Sequence, residues 1–214
     1  ETAASDDDAA KRAKVAAAIK SCYKNLNLKL RTRYVVCGVS GPEVAIRSFH
    51  LPSIPPDRLK AAIMNEAAEV CPFNVRQNCF DYQLATPGTT PESKDQHSSE
   101  VNTGVMVAAT NMVVNSKKTL VEEAGLTCAL IDVNGLAMVN LFHECEKQPV
   151  GRTIALVNVR NSWINLAIIS DSTLPFIRDF NYGGRDIVSR IAEDTGMSAD
   201  VVRGVLAKRN TDPS

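Results

Sequence analysis

The chain has no excess charge of either sign: Lys plus Arg and Asp plus Glu number 24 each, and no long basic tract breaks the balance. Nucleic acid and anionic membrane surfaces therefore have no electrostatic claim as principal partners. No uninterrupted apolar run reaches the roughly 18 residues of a membrane-spanning helix. The six cysteines, at 22, 37, 71, 79, 128 and 145, include no C-x-x-C pair and no short-range cluster. They read as buried thiols of a reducing compartment, which argues against both a disulfide framework and a zinc site. His50, His97 and His143 stand apart, none with a second ligand at zinc spacing, so no metal site is expected. Cys145 follows His143-Glu144, but residues two apart on a helix diverge, so no nucleophile and base meet there and no catalytic residue is expected. The chain shows neither a fixed short repeat nor an initiator methionine or signal pattern, and Glu1-Thr2-Ala3-Ala4-Ser5 reads as a cut end.

What is present is the composition of an ordinary globular protein of 214 residues, long enough for a sizeable core in one domain or two smaller ones. Asp6-Asp7-Asp8 are expected to open a helix running to Lys24, its apolar face formed by Val15, Ile19, Cys22, Tyr23 and Leu26. Residues 34–39 and 44–49 are β-rich and flank Ser40-Gly41-Pro42-Glu43, the pattern of a hairpin. A helix over 56–70 places Leu59, Ile63, Ala67 and Val70 on one face and stops before Pro72. Phe80, Tyr82 and Leu84 alternate as in a strand, and residues 85–100 read as an exposed, mobile loop.

From residue 101 the pattern becomes strand 101–109, helix 111–124 closed by Gly125, strand 126–133 and helix 134–145, a β-α-β-α run of layered α/β type. A linker over 146–151 leads to residues 154–159, 164–170 and 175–180, a three-strand antiparallel meander, and then to a helix carrying Ile187, Val188, Ile191 and Ala192 on one face. Gly183-Gly184 precede that helix. Two glycines there have two readings: a tight strand-to-helix turn, or a backbone cradle for phosphate at the helix N-terminus. A last helix is capped by Ser198.

Several blocks, in this order, resemble the PilM family, the actin-like proteins of type IV pilus assembly related to FtsA and to the actin/Hsp70 ATPases. They are Phe49-His50-Leu51-Pro52, the helix over 57–70, Cys71-Pro72-Phe73-Asn74-Val75, Phe80-Asp81-Tyr82-Gln83-Leu84, Val105-Met106-Val107-Ala108-Ala109, Glu122-Glu123-Ala124-Gly125-Leu126, Ile131-Asp132-Val133 and Arg178-Asp179-Phe180-Asn181-Tyr182-Gly183-Gly184. The resemblance implies an α/β fold of incomplete ribonuclease-H-like lobes with an inserted α+β subdomain. Residues 1–100 would hold that subdomain with a flanking helix and loop, 101–150 would close the first lobe, and 151–214 would begin the second. The chain would then be the middle of a longer protein, whose unpaired strand edges invite a homo-oligomer or a swapped dimer.

The resemblance also implies a function: a cytoplasmic scaffold, peripheral to the inner membrane, that binds the short tail of a PilN-like partner. The tail's groove is expected beside the 59–70 helix, with Ile63, Pro72, Phe73 and Asn74 gripping an extended peptide and Glu66 or Glu69 meeting its basic residues. The alternative is an ATPase that uses ATP and magnesium in the full-length chain. Against it, the family's D-I-G-x-x-x-T-like phosphate turn aligns with Asn158-Val159-Arg160-Asn161-Ser162-Trp163. Asn158 stands in place of the carboxylate and Arg160 in place of the glycine, so with Ser162, Gly183 and Gly184 they form at most a degenerate nucleotide site, and no cofactor is expected in this chain alone.

Overall fold

The computed structural model describes residues 2–25, 33–85, 101–146, 150–171 and 173–209. In chain order the elements are α1 (Thr2–Asn25), β1 (Tyr34–Val39), β2 (Val44–Pro52), α2 (Pro56–Val70), a 3-10 turn (Val75–Gln77), β3 (Cys79–Leu84), β4 (Val101–Ala109), α3 (Asn111–Glu123), β5 (Thr127–Val133) and α4 (Asn134–Cys145). The meander β6 (Ile154–Val159), β7 (Ile164–Ser170) and β8 (Thr173–Phe180) follows, and then α5 (Gly184–Thr195) and α6 (Ala199–Arg209). The loop expected over 85–100 falls, apart from Ala85, outside the described residues.

Most elements lie where periodicity puts them, and the exceptions have physical causes. Helix α1 begins at Thr2, so Asp6-Asp7-Asp8 occupy its second turn. Ala3 and Ala4 are strong helix formers and extend it upstream of the acidic run. Its inner face is Ala16, Ile19 and Tyr23, packed on Val121, Ala124 and Leu126, while Val15 and Cys22 are exposed. Ala16 has only a methyl group, which lets α1 approach α3 closely, and Arg12 bonds Glu123 across that seam at 2.9 Å. Leu26 lies outside the described residues.

Strands β1 and β2 do not form a hairpin. β1 runs parallel to β5, and β2 pairs antiparallel with β4 from Val44↔Ala109 to Pro52↔Val101. The connection does turn tightly, with Val44 N–H donating to the Gly41 carbonyl at 3.1 Å and Gly41 at φ 109°. However, Gly41 N–H donates to Asp179 on β8 at 2.7 Å, and Pro42 has no N–H to offer a ladder. The turn is thus anchored to the meander and sends β2 into a separate sheet of order β2-β4-β3. A division at residue 100 would cut this sheet between β3 and β4, which pair from Cys79↔Ala109 to Leu84↔Gly104. For the same reason β4 and β5, consecutive in the β-α-β-α run, belong to different sheets.

The β2-β4-β3 sheet is covered on one face by α2: Leu59, Ile63 and Ala67 pack with Val75 against Phe49, Met106 and Ala108. Its opposite face carries Ile46, Val105 and Val107 into a second core with Val39, Val133 and Val139, and with Ala167, Ile169 and Ile177 of the meander. Helix α4 is the shared layer. A Cβ on its Gly135 would lie 2.2 Å from Ile177 Cγ2, so only glycine lets the start of α4 seat against β8. The meander pairs throughout as expected, β6 with β7 and β7 with β8.

Candidate functional site

A cleft of about 860 Å³ opens between the β2-β4-β3 sheet and the layer of β5, α4 and the β7–β8 turn. Every residue from Cys79 to Ala85 lines it, so it is the edge of β3, with its backbone groups, that faces the space. One edge of β3 is bonded to β4, and no strand among the described residues takes the other. Val105, Val107, Ile131, Leu136, Val139 and Leu174 supply apolar walls. Asp81, Asp132 and Asp171 also line the cleft, and among the described residues no Lys or Arg does. The arrangement fits an extended segment that adds to a free strand edge, places alternate apolar side chains against the walls, and carries positive charge.

The residues expected to grip a peptide are not in this cleft. Ile63 is completely buried in the α2 core, and Phe73 packs on the outside of the same core. Glu66 is half-buried, whereas Glu69, Pro72 and Asn74 are exposed; Asn74 Oδ1 accepts the Arg76 N–H at 3.1 Å. All of them belong to the side of the sheet that α2 covers, the side faced by Met106 and Ala108, while Val105 and Val107 face the cleft. The signal for the cleft was available in β4: Val105-Met106-Val107-Ala108 is apolar at every position, which a strand covered on one face only does not require.

The second candidate, the β6–β7 hairpin with the paired glycines, is closed on itself. Gly184 N–H donates to the Arg160 carbonyl at 2.7 Å, and Arg185 N–H to the Asn161 carbonyl at 2.9 Å. Gly183 N–H donates to Asp186 Oδ2 at 2.8 Å. Two of the amides that a phosphate would need at the start of α5 are therefore spent on the hairpin, and a third on Asp186. Gly183 is buried because a Cβ there would lie 2.6–2.7 Å from three backbone atoms, those of Asn161, Trp163 and Arg160. Of the two readings of Gly183-Gly184, this geometry fits the turn.

Asn158 Nδ2 lies 3.5 Å from Asn165 Oδ1. Asn165, the one fully buried polar side chain among the described residues, donates through Nδ2 to Asp179 Oδ1 at 2.5 Å. The other oxygen of Asp179 holds Gly41 N–H. This relay from the hairpin to the β1–β2 turn was not anticipated, although Asp179 lies in one of the blocks that carry the resemblance. Beside it, a small cleft of about 380 Å³ is lined by Gly38, Ser40, Val113, Lys117 and residues 160–163, which places exposed Arg160 and half-buried Ser162 at its wall. Among the described residues no group of three or more His, Cys, Asp or Glu is placed to hold a metal ion.

The family described as "Type IV pilus assembly protein PilM" matches residues 1–212. The chain belongs to the PilM family. The family's description places its members in type IV pilus assembly. Among solved structures, a PilM–PilN type IV pilus biogenesis complex matches with a TM-score of 0.67 at 24% identity, covering 92% of this chain and 56% of that one. The fold of this PilM-family chain is thus the actin-like α/β fold. The cytoplasmic domain of EpsL, an inner membrane component of the type II secretion system of Vibrio cholerae, matches with a TM-score of 0.49 at 12% identity, covering 77% of this chain and 56% of that one. The chain therefore spans just over half the length of either structure. A search of curated proteins by sequence gave no match. No helix among the described residues is long and apolar enough to cross a membrane.

Proposed function

We propose that this PilM-family chain is part of a cytoplasmic, actin-like scaffold that holds the short tail of a PilN-like inner-membrane protein, and that the tail lies in the large cleft and not beside α2. The observation that carries this reading is the edge of β3 that no strand among the described residues takes, facing apolar walls and three carboxylates. A strand edge supplies affinity through main-chain hydrogen bonds, the apolar walls select alternate side chains, and Asp81, Asp132 and Asp171 favour a basic segment. The partner would tether the scaffold to the membrane. We further propose that the inserted subdomain comprises β2, α2, β3 and β4, residues 44–109, with α1, β1, α3, β5 and α4 forming part of the first lobe and residues from 154 the start of the second.

The test is to titrate the partner's tail peptide against labelled protein. Backbone amide shifts are expected at residues 79–84, 131–133 and 173–174; shifts confined to 63–74 would place the tail beside α2 and overturn the assignment. Leu174→Glu, at the cleft wall, is expected to weaken binding at least about tenfold by putting a charge where an apolar side chain docks. Asp81→Asn is expected to weaken it less and to flatten its salt dependence.

The ATPase reading draws no support from the hairpin, whose carbonyls occupy the amides at the start of α5. Calorimetry of the full-length chain with ATP and magnesium is expected to show no saturable heat in the micromolar range. A saturable micromolar isotherm would restore the ATPase reading.

A further inference from the structure

Cys37 on β1 and Cys128 on β5 lie diagonally across parallel strands, Cys37 paired with Ile131 and Cys128 with Val35, with their sulfurs 3.9 Å apart. The register slips here: Val35 pairs with Cys128 but Val36 with Leu130, so Ala129 bulges out of the ladder. Beside the bulge, Cys128 Sγ lies 3.9 Å from Cys37 Sγ and 3.7 Å from the Leu130 carbonyl, two alternative acceptors for its single S–H. Both thiols are half-buried under α1 and α3, against the cluster of Ala16, Val121, Ala124 and Leu126. No other two cysteines among the described residues are in such sulfur contact. Burial, followed by the Cys128 hydrogen bond and charge, pushes the Cys37 thiol above its ordinary range, against a smaller opposing pull from Lys117. Cys37 therefore rests as the protonated thiol near neutral pH, unreactive under reducing conditions.

We propose that Cys37 and Cys128 are an oxidisable pair that closes into a reversible intramolecular disulfide when the protein meets a peroxide. An S–S bond needs about 2 Å, so closure draws the two sulfurs together by about 2 Å from their present 3.9 Å. The Cys128 thiolate attacks one peroxide oxygen: an S–O bond forms, the O–O bond breaks, and the departing hydroxide takes a proton to become water. The Cys37 sulfur then attacks the Cys128 sulfur and gives up its proton to the departing hydroxide: the S–S bond forms, the S–H and S–O bonds break, and the second oxygen leaves as water. The two thiols lose two electrons and two protons in all, and the peroxide becomes two waters; a free thiol such as glutathione reverses the change by exchange. The bridge joins residues 91 apart in sequence, so it closes a loop containing the whole of β2 to α3. It would pin β1 to β5 close to Val39 and Ile131, which line the large cleft, and it stands independently of what that cleft binds.

The full chain is treated with hydrogen peroxide and mapped by peptide mass under non-reducing conditions. The expected result is a single linked species that has lost two hydrogens, about 2 Da, and joins the Cys37 and Cys128 peptides. It is reversed by dithiothreitol and accompanied by a rise of several degrees in Tm, as expected of a long closed loop. Cys37→Ser and Cys128→Ser each abolish both signals. A variant with Cys22, Cys79 and Cys145, the exposed thiols, replaced by serine keeps them. Oxidation that leaves Cys37 and Cys128 unlinked, or that vanishes in the triple-serine variant, overturns the proposal.

Discussion

Asp179→Ala is expected to destabilise the protein by about 3 kcal/mol, read as a lowered urea midpoint with little change in slope. The carboxylate uses both oxygens inside the structure, accepting Gly41 N–H at 2.7 Å and Asn165 Nδ2 at 2.5 Å. Removing it strands an amide that is 0% exposed, and that desolvation penalty outweighs the net worth of either hydrogen bond. It also releases the β1–β2 turn from β8. Amide exchange in residues 41–44 is therefore expected to quicken more than exchange in α2, which packs in another core. A loss below about 1 kcal/mol, within the ordinary range of surface substitutions, would mean that the relay contributes little and that the shared packing on α4 alone sets the lobes.

Gly183→Ala is expected to cost at least as much, about 3 kcal/mol or more, for a different reason. The φ of Gly183 is −146°, open to any residue, so the position is not selected for conformation. The constraint is space: the added carbon meets the Asn161 carbonyl oxygen, the Trp163 nitrogen and the Arg160 carbonyl oxygen at 2.6–2.7 Å. Backbone cannot swing aside as a flexible side chain would, so the start of α5 must lift off the hairpin. The bonds from Gly184 to Arg160 and from Arg185 to Asn161 then lengthen. Fluorescence of Trp163, the single tryptophan of the chain, follows the change directly because its backbone forms the contact. If Gly183→Ala left stability and fluorescence unchanged while weakening ATP binding by the full-length chain, the glycine would be a phosphate ligand and the hairpin reading would fail.

Both expectations concern residues whose importance reading along the chain shows only in part. Gly183 was visible as a glycine before a helix, a position with two meanings, and neither spacing nor composition reports that carbonyls from residues 160 and 161 arrive to bond its helix. Asp179 follows Arg178 near the end of β8, and its local sequence does not distinguish it from a solvated aspartate. Ile63 shows the converse: at helical spacing it could be core or ligand contact, and its complete burial makes it core. The cleft was partly legible, since the unbroken apolar run in β4 requires cover on both faces, but which strand edge would border it was not.

Local chemistry alone determined the elements. β-branched runs, the helical stripes of α2 and α5, and the glycine and proline stops are interactions between residues a few positions apart, and the blocks that carry the PilM resemblance are likewise contiguous. Only the tertiary structure decided that β1 seeks β5 and β2 seeks β4, that the free edge of β3 borders a carboxylate-lined cleft, and that Asp179 joins the β1–β2 turn to β8. Those choices depend on which buried amide finds which acceptor across roughly 50 to 140 positions, and a hydrogen-bond donor carries no sign in the sequence of the distant partner that will satisfy it.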